Sequence, residues 1–298
     1  MNGQMNITKN GAYGLLALAV CLWASSGTIS SLAMDYGVSV VDLTTIGFIS
    51  ASMVLLPLVA IFDRKSLMIR RKDIPTFVVF SLLAGVLMNL AFFGAINETT
   101  VAIAVILNFT YPTMVTIASV FVFKEKLSTQ KILALPLTFV GCVLVAGAPL
   151  IESGMSVNWL AIALGLLSAI GSATYYLWGK KLEERYSANT VVLYLFVLTT
   201  VMLVIAANPV SLAHSSIAAE AYVLIFMMAV LPGVVGFLSC LVALRHIEAS
   251  KASIVSSFEP IVAVGIAFVV LSEGVTAIQL GGVLLIVIGI VLLRIGDG

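Results

Sequence analysis

The sequence predicts an all-α polytopic membrane protein, ten transmembrane helices arranged as two inverted five-helix repeats. Three observations carry this. Hydrophobic residues make up 61% of the chain and charged residues only 10%, against about 25% charged in soluble domains, and the mean hydropathy is +1.17. The apolar residues gather into ten runs near the roughly 20 residues that a helix needs to cross a bilayer. The same landmarks also recur at one spacing: Pro112 and Pro260, Glu125 and Glu273, Gly141 and Gly289, and Gly85-Val86 and Gly233-Val234 all stand 148 positions apart.

The first run covers roughly Ala12–Met34, behind a polar stretch with Lys9. A basic residue before an apolar run resembles a signal peptide. Removing this run would leave the halves unequal, so it is read as a retained span. Runs follow at Val41–Phe62, Ile74–Ala95, Ala102–Phe123 and Lys131–Leu150, then Trp159–Gly179, Thr190–Asn208, Tyr222–Leu244, Ala252–Leu271 and Ala277–Leu293. Two units result, residues 1–150 and 151–298, joined into one membrane body by short connections.

Charge fixes the expected orientation. The net charge is +1, but the 15 Lys and Arg are segregated. With the N-terminus in the cytoplasm, ten spans place all of them on the cytoplasmic side, and by the positive-inside rule both termini then belong there. An odd number of helices per unit inserts the units with opposite topology, the arrangement in which a site forms near mid-membrane between repeats.

The run Lys251–Leu271 holds Glu259 near its middle, directly before Pro260. A charge at that depth costs about 2.5–3.5 kcal/mol on insertion scales and is expected to face protein or a water-filled cavity. Pro260 removes a backbone donor and bends the helix there. Ser253, Ser256 and Ser257 precede it. The first repeat carries the same device, with Asn108 and Tyr111 before Pro112. Under the 148-residue correspondence Asn108 falls on Ser256 and Tyr111 on Glu259. A cavity between the units is therefore expected to be lined by residues among Trp23, Asn89, Asn108, Tyr111, Tyr175, Ser256 and Glu259, with Trp178 a further aromatic candidate. Glu259 has two readings: a carboxyl that trades a proton for an amine-bearing or cationic substrate, or a hydrogen-bonded group that stabilises the bend.

Other features have structural readings. Ala161, Gly165, Ala169 and Ala173 repeat every four residues, which suits close internal helix packing over a homodimer seam. Trp159 and Tyr186 fall at predicted interfaces, as an aromatic belt would. Glu125 and Glu273 sit at helix ends and are expected to cap or anchor loops. Cys21, Cys142 and Cys240 lie scattered in apolar runs, with neither a disulfide framework nor metal-ligand spacing. His214 and His246 fall in loops on opposite sides and cannot form a site together.

The chain resembles the drug/metabolite transporter superfamily in its ten-helix EamA type. Trp23 in CLWASSG, the stretch YPTMVTIASVFVFKEKLS through Gly141, and FEPIVAVGIAFVVLSEG through Gly289 carry the resemblance, which covers nearly the whole chain. Two departures stand out: Ala24 follows Trp23 where the family often has Gly, and Ile170 and Gly171 replace an expected aromatic. The resemblance implies a secondary transporter of small metabolites, often an exporter of amino acids or related compounds, in a bacterial inner membrane. The expected partners are a small-molecule substrate, the lipid bilayer and protons, with no cofactor, metal or nucleic acid; the chain is expected to be a monomer or a homodimer. A phosphate-ester or nucleotide-sugar antiporter is the alternative, but such anions want buried Lys or Arg, and every base here lies at a span end. A flippase for a lipid-linked substrate is open too. An intramembrane enzyme is disfavoured, because one buried Glu without a buried His, Lys or Asp makes no nucleophile–base pair.

Overall fold

A computed structural model of the chain describes residues 7–153, 158–206, 217–271 and 275–295. Among these, nine segments are long and apolar enough to cross a membrane, and Ala277–Leu293 is a shorter apolar helix. The described segments are helices and turns, with no strand among them. Spans one and two are the unbroken helices α1 (Lys9–Asp35) and α2 (Val40–Phe62). Span three joins α3 (Ile74–Ser81) to α4 (Met88–Glu98) through one π-helical turn, Leu82–Leu87. Span four is α5 (Val101–Asn108) followed by α6 (Tyr111–Val122), and span five is α7 (Thr129–Ser153).

The second half repeats the pattern. Helices α8 (Trp159–Glu183) and α9 (Ala188–Ala206) are unbroken. A π-helical segment, Ala229–Gly236, joins α10 (Ala219–Met228) to α11 (Phe237–Leu244). Span nine is α12 (Ala249–Val255), a 3₁₀ turn Ser256–Phe258 and α13 (Glu259–Leu271); α14 (Ala277–Ile295) closes the chain.

Local chemistry explains the starts and breaks. The side chains of Thr8, Ser39, Thr100 and Asn158 accept from backbone amides in the first turns of α1, α2, α5 and α8, satisfying donors that a helix leaves unpaired. Gly37, at φ +79°, makes the turn between α1 and α2 in a conformation that suits glycine. Pro112 and Pro260 each stand one residue inside a new helix, after the breaks at Phe109–Thr110 and Ser256–Phe258. Each lacks the N–H that would bond the carbonyl four residues back, so the bend expected at these positions is a helix break. Many hydroxyls within the spans donate to their own helix, as Thr44 does to Val40 O at 2.7 Å and Thr45 to Val41 O at 2.6 Å, which satisfies them without water; the buried Thr116 hydroxyl on α6 has no such partner.

The halves meet through contacts that the 148-residue correspondence maps onto one another. A Cβ on Gly141 would lie 2.8 Å from Gly282 O, and one on Gly289 would lie 3.2 Å from Ala134 O. Gly141 corresponds to Gly289 and Ala134 to Gly282, so both are the same contact, and only glycine permits α7 and α14 to approach this closely. Two other pairs join a residue to its own counterpart. Ser52 and Thr200 share a hydrogen bond at 3.0 Å, and the rings of Phe48 and Phe196 meet edge to face at 5.5 Å. Self-paired counterparts touch only at a local two-fold axis, so the axis passes between α2 and α9.

The small-residue series on α8 is buried inside the bundle, with Ala161, Ala169 and Ala173 nearly inaccessible. A Cβ on Gly165 would meet Leu107 Cβ at 2.4 Å, so this face packs internally. Trp159 is exposed at the start of α8. Tyr186 differs from the belt reading: its hydroxyl donates to Asp73 Oδ2 at 2.6 Å, and its ring packs edge-on to Phe77 at 5.2 Å. A loop from the other half gives it a better partner than an interface would. Glu273 and His214 lie outside the described residues.

Candidate functional site

A cavity of about 150 Å³ lies at mid-depth between the halves, reached by all the spans except five and ten. Six of the seven residues expected there line it: Trp23, Asn89, Asn108, Tyr111, Tyr175 and Glu259. Ser256 does not. It is fully buried, and its hydroxyl meets that of Tyr176 at 2.6 Å, so Tyr176 stands between it and the cavity. Trp178 also lies off the lining.

Most of the expected lining side chains are held by a hydrogen bond or a ring contact. Trp23, on α1, donates its indole N–H to Pro232 O at 3.1 Å. Its ring meets Phe237 edge-on at 5.6 Å and Tyr175 at 6.2 Å. Tyr175 donates to Phe237 O at 2.7 Å. Asn89 donates to Gly85 O at 2.9 Å, inside the first π turn. Asn108 ends α5 and donates to Ser168 and Ser172 on α8, at 2.8 and 3.1 Å. Tyr111 stacks on Tyr176 with ring centroids 5.2 Å apart. Glu259 opens α13 at the point where Pro260 breaks span nine.

Sequence reasoning missed Ser172, Tyr176, Phe48, Phe196 and Phe237, all of which line the cavity. A signal existed for one pair: Phe48 and Phe196 are identical residues at the 148-residue spacing. The others depend on which neighbour each helix face meets.

One end of the bundle is closed by polar contacts between the halves. Asn189 donates to Asp63 Oδ2 at 2.9 Å, and Ser66 bonds both Asp63 and Ser187. Glu125, in the loop after α6, accepts from Ala249 N at 2.9 Å and from the amide and hydroxyl of Ser250, capping α12. The anchoring role expected of Glu125 thus takes the form of a cap on a helix of the other half. Lys131, itself buried, pairs with Glu125 at 3.3 Å and with Glu248 at 2.9 Å. Burial pushes the Glu125 carboxyl up, but the Ser250 hydroxyl, Lys131, Lys180 and the Ala249 amide outweigh it and hold it below the ordinary value. Hydrogen bonds from Ser66 and Asn189 likewise hold the Asp63 carboxyl down. These loops carry Arg64, Lys65, Arg70, Arg71, Lys126 and Arg185, so the closed end is the basic one. Among the described residues no cluster of three or more His, Cys, Asp or Glu could hold a metal ion.

Membrane-spanning helices, a repeat with a local two-fold axis and a mid-depth cavity beside that axis define a membrane transporter. The EamA-like transporter family matches residues 10–147 and again residues 159–295; the chain belongs to this family. An uncharacterized inner membrane transporter of Salmonella typhimurium, YicL, is 24% identical over 296 residues, spanning 98% of this chain and 97% of its own. A crystal structure 15% identical to this chain superposes with a TM-score of 0.79, over 97% of this chain and 98% of that one, and shows the same fold.

Proposed function

We propose that this chain is a secondary active transporter that exports small amphipathic metabolites, amino acids or related compounds, by alternating access between its two halves. The observation that carries the reading is the cavity itself: it sits beside the two-fold axis, and the basic end of the bundle is held shut by contacts between halves. In such a design the closed contacts part as the open cavity collapses, and the substrate changes sides. The related Salmonella protein is named an inner membrane transporter, which supports a bacterial inner-membrane location. The gathering of basic residues in loops and helix ends at one end of the bundle supports cytoplasmic termini.

An anion antiporter fits less well. The lining includes one acidic side chain, Glu259, and no Lys or Arg. Protons are the proposed coupling ion, with Glu259 as their carrier. Purified protein in proteoliposomes, offered a panel of radiolabelled solutes with and without a pH gradient, tests the reading. A solute that shows counterflow and is accumulated by an imposed gradient supports it; a panel spanning amino acids, amines, sugars and phosphate esters that shows no counterflow overturns it.

A further inference from the structure

The cavity's hydrogen-bonding inventory is one-sided. One N–H of the Asn89 amide is spent on a backbone carbonyl, Gly85 O. That of Asn108 is spent on Ser168 and Ser172. Ser168 already donates its own proton to Gly165 O at 2.7 Å, so it can only accept from Asn108, which fixes the amide's orientation. The indole N–H of Trp23 and the hydroxyl of Tyr175 both end on backbone carbonyls. Ser26 and Thr44, also on the lining, donate to their own helices. What remains is acceptors: the amide oxygens of Asn89 and Asn108, the faces of the aromatic rings, and Glu259, which makes no hydrogen bond or ion pair among the described residues. The remaining donor capacity is the second N–H of Asn89 and two hydroxyls, Ser172 and Tyr111, and Tyr111 is already grouped with Tyr176 and Ser256.

Such a lining has little to offer an anion. A substrate carboxylate would find few donors and no Lys or Arg to pair with, and would be repelled by Glu259 whenever that group is ionised. A substrate that brings its own donors or positive charge finds a carboxylate and electron-rich ring faces, which attract ammonium groups. A cavity of about 150 Å³ has room for a body of about one ring.

We propose that the cavity selects a monocation, a primary or quaternary amine on a one-ring or branched apolar body, with its nitrogen against Glu259 and without a carboxylate of its own. This rests on the reading of the cavity as the transport site, and it narrows the substrate class from amino-acid-like solutes to amines.

The test is a matched series sharing one phenyl body: phenethylamine, benzyltrimethylammonium, phenylalanine, 3-phenylpropionate and 2-phenylethanol. Binding is measured by calorimetry on the full-length protein in nanodiscs, and counterflow in proteoliposomes. The two cations are expected to bind at least about tenfold tighter than the zwitterion and the anion. Glu259→Gln is expected to bring phenethylamine down to the level of 2-phenylethanol, and Glu259→Asp to keep the preference. Equal or tighter binding of phenylalanine or 3-phenylpropionate overturns the proposal, as does failure of every compound to bind or an undiminished cation preference in Glu259→Gln. If Glu259→Gln does not fold, the order of the series on the unaltered protein decides. Counterflow of phenylalanine without counterflow of the amines sinks the amine class and leaves the transporter standing. Absence of counterflow across both this series and the broader solute panel sinks the transporter reading itself.

Discussion

The two π turns occupy corresponding places in the two halves, yet one is packed and the other borders the cavity. At the first, Thr199 of α9 presses on Gly85, where a Cβ would lie 1.9 Å from its hydroxyl oxygen. Thr199 donates to Ser81 O at 3.3 Å, and Ser81 donates to Tyr194 O at 3.3 Å. A Cβ on Gly171 of α8 would come within 2.8 Å of Leu83 O and 2.5 Å of Met88 Cβ. At the second, the counterparts of Thr199 and Ser81 are Ala51 and Ala229, which cannot make those bonds, and both line the cavity with Gly233. Beside the second turn Trp23 of α1 stands where the first turn has its counterpart Gly171 of α8, and it fills with an indole the space that the glycine gives to a neighbouring helix. The comparison teaches that two copies of one repeat build one cavity through a few substitutions at equivalent positions: hydroxyl against methyl, indole against hydrogen.

The largest expected effect contrasts the two ends of the bundle. Glu125→Ala strips the cap from α12 and takes from the buried Lys131 one of its two carboxylates, leaving Glu248, at a cost approaching the roughly 3–5 kcal/mol of breaking a buried pair. The control is Glu98→Ala at the other end, where an exposed carboxylate accepts from Asn158 at 3.2 Å and the loss is within about 1 kcal/mol. Thermal unfolding in detergent reads both; equal losses would mean that the basic end is not the more tightly held.

Next comes the comparison of the two π turns by identical substitutions. Gly85→Ala drives a methyl into Thr199 and is expected to destabilise by about 1–3 kcal/mol, as overpacking does. Gly233→Ala meets only Met228 O at 3.3 Å and is expected to unfold close to the parent's temperature. A Gly233 variant as damaged as the Gly85 variant would show that the second turn is packed too.

A smaller effect belongs to the indole. Trp23→Phe keeps the ring contacts with Tyr175 and Phe237 but loses the bond to Pro232 O, worth about 0.5–1.5 kcal/mol. Its stability should fall by that amount, and a tenfold or greater change in solute affinity without it would make Trp23 a direct substrate contact.

The smallest effect is on pH dependence. Asp63 and Glu125 both have carboxyls held below their ordinary values. Their stabilisation of the basic end is fully present above about pH 4, the ordinary carboxylate range, and is lost as the pH falls through their lower folded-state values. Melting temperatures should therefore show no pH dependence from these two groups between about pH 5 and 8, with a decline in acid that Asp63→Asn makes shallower. An unchanged acid limb in that variant would remove Asp63 from the set that closes this end.

The sequence alone determined what is written along one dimension. Hydropathy set the spans, the 148-residue spacing set the doubling, Pro112 and Pro260 set the breaks, and a carboxylate at mid-span marked Glu259 as a cavity residue. These follow from local properties: length against bilayer thickness, a missing N–H, the cost of a buried charge. Tertiary structure alone decided where each polar group spends its hydrogen bonds. Ser256 has the right type and spacing for the lining, but Tyr176 arrives from α8 and covers it. Asn108 has a donor and an acceptor, and its donor is taken by two serines 60 and 64 positions away. Whether a side chain faces the cavity depends on the helix packed opposite, and that partner is set by three-dimensional contacts between the halves that no periodicity along the chain encodes.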